Sequence, residues 1–278
     1  MKRDLLIAGI LLISPLLPGQ SMPDSLAVPV ISWECRAIAR GVLLKSAETQ
    51  LFNSSQAIYI VDIDTTMAEF EFGVAGADST LITSLFAPQA GALAAINGTF
   101  FNMAEEYNVH YVRVNDSILA VTEETEFGVR ATGIFTCTGE EVDIASWGPE
   151  EEDAAGTDAE DAIVSGPLLT DDGADISLEM NGFNTHRHPR SLVGATSDGH
   201  ILFVVVDGRQ PGYADGMSLF ELRSLAQSLG CTDALNLDGG GSTTLYVSGE
   251  GSTGVVNRPS GKVERPVPSI LFVKSSNR

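Results

Sequence analysis

The stretch Asn236-Leu237-Asp238-Gly239-Gly240-Gly241-Ser242-Thr243-Thr244-Leu245-Tyr246 constrains this chain more than any other. Three consecutive glycines give a bare backbone that reaches φ > 0 and can approach a ligand closely. Such a run packs almost nothing and costs conformational entropy. A tight turn between strands needs only one or two glycines. The Asp238 carboxylate before the run, and the Ser242 and Thr243 hydroxyls after it, point to a binding loop instead.

The chain has 278 residues, 44% of them hydrophobic, which is enough for one large domain or two small ones. Its formal charge of −21 argues against nucleic acid or anionic lipid as a partner. The charge is unevenly spread. Between Arg130 and Arg187 there are fourteen Asp and Glu and no Lys or Arg. From Arg187 onward nine basic residues face eight acidic ones, a balance of +1. The region of the glycine run is therefore near neutral, with arginines available for an anionic group.

At the N-terminus Lys2 and Arg3 precede an apolar run from Leu5 to Leu17, broken by Pro15 and Pro18. The run is too short and too broken for a stable membrane span, and predicts an export signal over residues 1–19. The expected location is periplasmic or secreted. No cysteine follows the run to carry a lipid. An extended N-terminal arm is expected over 20–55 and the main domain over 56–278. The acidic stretch at about 139–162 reads as a solvated insertion. Cys35, Cys137 and Cys231 would allow one disulfide after export, with the pairing open, and their spacing fits no zinc motif.

Strand patterns occur at 57–63, 70–74 and 94–97, and 81–95 carries a helix broken near Pro88. Residues 111–121 predict a hairpin turning at Asn115-Asp116. Ile201 to Val206 is a continuous apolar run, as in a strand buried on both faces. Ser218 with Glu221 forms a capping box for a helix that ends at Gly230, with Leu222, Leu225, Ala226 and Leu229 as its apolar stripe. Strands follow at 234–237, 243–247 and 268–273. The reading is a mixed α+β fold of mostly antiparallel sheets, a few helices and one local β-α-β unit over 201–238.

Two strands of that unit end in matched chemistry, Asp207-Gly208-Arg209 and Asp238-Gly239-Gly240-Gly241. If they are parallel neighbours, both aspartates lie on one rim, where ligands of such sheets bind. A carboxylate can stabilise or attack an oxocarbenium-like centre. Arginine clamps phosphate with two hydrogen bonds, and the N–H groups of Gly239 and Gly240 can form an anion nest. The sequence lacks a phosphate-loop signature, a Gly-x-Ser-x-Gly elbow and a His-Glu-x-x-His pair. His186 and His188 would share a face of a strand and could hold a metal; before Pro189, in a polar segment, they read as surface residues.

Together these segments resemble the phosphodiester glycosidase family. The matching pieces run from Ala95-Ile96-Asn97-Gly98-Thr99-Phe100-Phe101 through Ser165-Gly166-Pro167-Leu168, Arg190 to Gly194 and Val206-Asp207-Gly208-Arg209. They continue through Ala234 to Thr244 and Asn257-Arg258-Pro259-Ser260 to Glu264-Arg265-Pro266-Val267. Where the family usually has Asn-Gly-Gly-Phe-Phe, this chain has Thr99, which leaves the sugar open. The resemblance implies hydrolysis between an anomeric carbon and a phosphodiester, with a sugar-phosphodiester or glycan as substrate. Arg190, Arg209 and Arg265 would hold the phosphate. Asp207 and Asp238, with Glu264 third, would act as base or oxocarbenium stabiliser. Asn97, Asn236, Ser242 and Thr243 would orient sugar hydroxyls or the phosphate. No cofactor is called for; a divalent metal is compatible but not indicated.

Two other readings use the same residues. A non-catalytic exopolysaccharide-binding protein needs the hydroxyl-binding groups but no carboxylate pair. A metal-dependent phosphoesterase would cut P–O, with Asp207, Asp238, His186 and His188 as ligands.

Overall fold

The computed structural model describes residues 28–153 and 156–275. The expected export signal over 1–19 lies outside the described residues. No helix among the described residues is long and apolar enough to cross a membrane.

The architecture is sheet-dominated. The largest sheet has eight strands in the order Glu34–Ala39, Val42–Leu51, Ser54–Asp64, His200–Val206, Arg190–Thr196, Cys231–Asn236, Leu168–Asp171 and Ala174–Asp175. Every pairing in it is antiparallel. A four-stranded sheet orders Leu245–Val247, Ala94–Asn97, Val267–Ser275 and Phe70–Leu81. A five-stranded sheet orders Glu141–Ser146, Gly133–Thr138, Asp161–Ser165, Val112–Val114 and Ser117–Ala120. With so few helices, the chain is more β-rich than a balanced α+β fold.

The period-two rule of strands explains how the large sheet is buried twice. Val61, Ile63, Ile201, Phe203 and Val205 point into a core shared with Phe72, Val74, Phe135, Ile163 and Leu271 of the two smaller sheets. Ile58, Ile60, Leu202, Val204 and Val206 point the other way, onto Leu219, Leu222, Leu225 and Ala226 of the helix Leu219–Ser228. The unbroken run Ile201 to Val206 thus marks a strand covered on both faces inside an antiparallel sheet. The helix begins with the expected capping box, the Ser218 side chain accepting from Glu221 N–H and Glu221 accepting from Ser218 N–H. It ends before Gly230 at φ +91°. The hairpin turns at Asn115 and Asp116, both at positive φ, the geometry that matches the twist of tight hairpins.

Three expectations change. The strands flanking the capped helix, His200–Val206 and Cys231–Asn236, are parallel to each other but not neighbours: Arg190–Thr196 lies between them, antiparallel to both. The local β-α-β unit therefore crosses over an intervening strand. Within the expected arm, Glu34–Ala39 and Val42–Leu51 are strands of the large sheet. The acidic stretch contains Glu141–Ser146, a short helix Pro149–Asp153, and the start of Asp161–Ser165. Within it Asp161 is buried, and its carboxylate accepts from the N–H groups of Val74 and Asn115 at 2.8 and 2.7 Å. Cys35, Cys137 and Cys231 are all free, the first exposed and the others buried.

Candidate active site

Because the two parallel strands run in the same direction, Asp207 and Asp238 emerge at one end of the large sheet. The segment between them is packed backbone to backbone. The Pro189 carbonyl accepts from Gly240 N–H at 2.9 Å. A Cβ on Gly239 would lie 2.5 Å from the same oxygen, and one on Gly216 would lie 2.4 Å from the His188 carbonyl. Here glycine is required by close approach. Gly240 also sits at φ +64°.

Two guanidinium groups lie against the glycine run. Arg209 Nη1 is 3.1 Å from where a Gly240 Cβ would stand, and Arg265 Nη2 is 2.4 Å from the corresponding point at Gly241. Arg265 Nη1 donates to Ser242 Oγ at 3.4 Å, and Ser242 Oγ donates to Asp238 Oδ2 at 2.6 Å. Arg209 Nη2 meets His188 Nδ1 at 3.1 Å. Desolvation, followed by the charges of Arg190 and Arg209, pushes His188 down to about 4. This region is locally cationic in a chain of charge −21, which suits an anionic ligand.

Asp238 is the partly open carboxylate of this rim. Desolvation lifts it to about 6, while Ser242, Arg265, the Gly239 N–H and Arg130 pull the other way. Its backbone is pinned from behind. Its N–H donates to the Gly98 carbonyl at 3.1 Å, and its own carbonyl accepts from Asn97 Nδ2 at 2.6 Å. Asn97 is fully buried and also accepts from Ser191 Oγ and Thr244 N–H. It therefore orients the loop, not a sugar hydroxyl.

Asp207 shares the rim but is 1% exposed. Its oxygens accept from Asn257 Nδ2 and Arg258 N–H, both at 2.8 Å, and from the Tyr213 hydroxyl at 3.3 Å. Burial lifts it to about 6 against those bonds. Asn257 Nδ2 also donates to the Thr243 carbonyl at 3.1 Å. Asp207 is thus the clasp that ties the 257–258 segment, and through Asn257 the glycine loop, to the sheet.

Four other predicted site residues stand elsewhere. Arg190 is 2% exposed and donates to the carbonyls of Met217, Phe183 and His186 at 2.8 to 3.0 Å. Burial, aided by the charge of Arg209, lowers it to about 9. It fastens the loop before its own strand, so of the three expected arginines only Arg209 and Arg265 lie against the glycine run. Glu264 turns away, accepting from Ser84 N–H at 2.8 Å and Ser84 Oγ at 2.5 Å at the start of the helix Thr83–Gln89. Asn236 donates to the Gly166 carbonyl at 2.7 Å, buried. Thr243 is buried with its hydroxyl unpartnered among the described residues.

His186 and His188 do not join the aspartates; no group of three or more His, Cys, Asp or Glu arranged to hold a metal forms among the described residues. Sequence reasoning missed Asn257, Tyr213 and a buried group around His110. Asn257 lay inside the quoted Asn257-Arg258-Pro259-Ser260 motif, and that motif was its signal.

Several known proteins are similar to this chain. The phosphodiester glycosidase family model matches residues 90–274. A prophage-derived uncharacterised protein of Bacillus subtilis, YomE, is 37% identical over 87 residues, which are 31% of this chain and 13% of YomE. A hypothetical protein from Synechocystis superposes with TM-score 0.65 at 16% identity, covering 88% of this chain and 64% of that one. The zebrafish N-acetylglucosamine-1-phosphodiester α-N-acetylglucosaminidase catalytic domain, auto-inhibited by its pro-peptide, also gives 0.65, at 14% identity, over 89% of this chain and 84% of that one. These solved structures share the fold. The match of the family model over two thirds of the residues, on the elements that carry the glycine run and its arginines, shows that the chain belongs to the phosphodiester glycosidase family.

Proposed function

We propose that this protein is an exported hydrolase that cleaves between a sugar anomeric carbon and a phosphodiester, releasing the sugar and a phosphomonoester. The observation that carries the reading is Asp238, a half-buried carboxylate that accepts from Ser242, itself held by Arg265, before a bare glycine backbone on which Arg209 and Arg265 lie. Family membership and the fold shared with a sugar-1-phosphodiester glycosidase support it.

The chemistry divides naturally along the rim. Arg209 and Arg265 hold the phosphate and neutralise charge that builds on it as the C–O bond breaks. The expected anion nest is not open, because the Gly239 and Gly240 N–H groups are engaged by the Asp238 carboxylate and the Pro189 carbonyl. A phosphomonoester has a second pKa near ~6, so it departs without a strong acid. Asp238, ionised above pH about 6, activates water or stabilises the oxocarbenium-like centre. Ser242, donating to Oδ2, fixes the rotamer.

The test is a panel of sugar-1-phosphodiesters hydrolysed in oxygen-18 water. Label in the sugar supports C–O cleavage. Label in the phosphate defeats the reading in favour of a phosphoesterase, and tight binding without turnover of any member would make the protein a glycan binder.

A further inference from the structure

Behind the rim lies a string of polar side chains in a position where buried polarity is costly. Thr99 Oγ1 is 2.8 Å from His110 Nδ1, and His110 Nε2 is 3.2 Å from Glu126 Oε2. Arg130 grips Glu126 with two hydrogen bonds, Nε to Oε2 at 2.8 Å and Nη2 to Oε1 at 2.5 Å. Thr99, His110 and Glu126 are 1%, 0% and 9% exposed.

Both ends of the string return to the backbone turn that holds Asp238. At one end, Gly98, the residue before Thr99, accepts the Asp238 N–H through its carbonyl. At the other, the Arg130 guanidinium lies over the ring of Phe100, 4.8 Å from its centroid, beside the same backbone turn. Phe100 in turn packs on His110, with ring centroids 5.4 Å apart. The charge of Arg130 is felt by the Asp238 carboxylate. Thr99, next to Gly98, supplies the hydroxyl that reaches His110.

We propose that Thr99, His110, Glu126 and Arg130 act as one positioning unit for the reaction, fixing the 98–100 backbone under Asp238 and holding the Arg130 guanidinium over Phe100 at that turn. The proposal rests on the glycosidase reading above. The ring state follows from donor and acceptor chemistry. Glu126 is held down to about 2, by the His110 hydrogen bond first and by Arg130, so it only accepts. His110 Nε2 therefore carries the proton and donates to Glu126. Burial holds the ring neutral, so Nδ1 accepts from the Thr99 hydroxyl. Glu126 and Arg130 are the charged groups that face the ring.

The experiment has an arm that needs no substrate and an arm that does. Nitrogen-15 spectra of the His110 ring in the full chain are expected to show a neutral Nε2–H tautomer at pH 7 to 8. In Thr99→Val, which keeps shape and removes the hydroxyl, the Nδ1 signal shifts. On the best substrate of the panel, Thr99→Val lowers kcat about tenfold with KM nearly unchanged, and Thr99→Ser restores it. Arg130→Gln, which removes a charge that lowers Asp238, moves the acidic limb of the pH–rate profile to higher pH. A cationic His110 or the Nδ1–H tautomer overturns the proposal. So does a folded Thr99→Val enzyme with wild-type kcat, or an acidic limb unmoved in Arg130→Gln. If the wild-type protein turns over nothing in the panel, the glycosidase reading fails while the ring spectra still decide the string.

Discussion

Arg265 rests so closely on Gly241 that a Cβ there would stand 2.4 Å from its Nη2. The glycine is present to let an arginine lie flat on the backbone. Gly241→Ala would displace the far end of a flexible side chain, so the fold is expected to survive while the proposed anion site is disturbed. Losing a charge-assisted hydrogen bond costs about 1.5–3 kcal/mol, so kcat/KM is expected to fall roughly 10- to 100-fold. The thermal midpoint should stay within a few degrees. Unchanged kinetics would show that Arg265 does not hold the substrate.

In the proposed reaction Asp238 is the carboxylate on which turnover depends. Asp238→Asn keeps its shape and the Ser242 contact but removes the base. A drop in kcat of about 10²–10⁴-fold is expected, with affinity for a non-hydrolysable sugar-1-phosphonate retained. Calorimetry and steady-state kinetics check the two halves. A variant that keeps its rate would move the reaction elsewhere.

Rate and stability should respond to acid in opposite senses. The Asp238 carboxyl titrates near about 6 instead of 3.8, chiefly through burial, and the reaction uses its ionised form, so kcat/KM declines below pH about 6. The folded state, however, binds that proton more tightly than the unfolded state. The resulting stabilisation is complete below the unfolded value of 3.8 and is lost as pH rises through about 6. Asp207, also lifted to about 6, adds to it. The thermal midpoint is therefore expected to rise between pH 7.5 and 5.5 while activity falls. Glu126, held near about 2, contributes the reverse: stabilisation present above its usual 4.5 and lost only as pH falls toward 2. A midpoint that falls with activity over the upper range would contradict the burial of the two aspartates.

Glu264 belongs to the helix Thr83–Gln89 by its hydrogen bonds to Ser84. Glu264→Ala is expected to lose the stability of a helix cap, about 1 kcal/mol, with kcat changed by less than a few-fold. Chemical denaturation and kinetics separate the two. A large loss of kcat at full stability would return Glu264 to the chemistry.

Some of this was legible in the chain itself. Ser218 and Glu221 announce a helix start because both partners lie within three residues, and Asn115-Asp116 announces a hairpin because its dihedrals are local. The rim position of Asp238 follows from a strand that runs into glycine. Burial is another matter. Arg190 reads as a free cation until Phe183, His186 and Met217 supply three carbonyls around it. Glu264 finds Ser84 across 180 residues. Asp207 and Asp238 carry similar local signals, yet only the first is enclosed, by Asn257 and Tyr213 arriving from separate loops. His110 gave no signal because its partners, Thr99 and Glu126, meet it only in three dimensions.

The strand Arg190–Thr196, lodged between the two whose ends bear the aspartates, has a last consequence. It keeps those ends two ladder spacings apart, about 9.6 Å at ~4.8 Å each. The far carboxylate is also sealed by its clasp. If the proposed reaction holds, Asp238 works without Asp207 as a proton donor, and ordinary alkyl glycosides, whose departing alkoxide demands one, are expected to be turned over far more slowly than sugar-1-phosphodiesters.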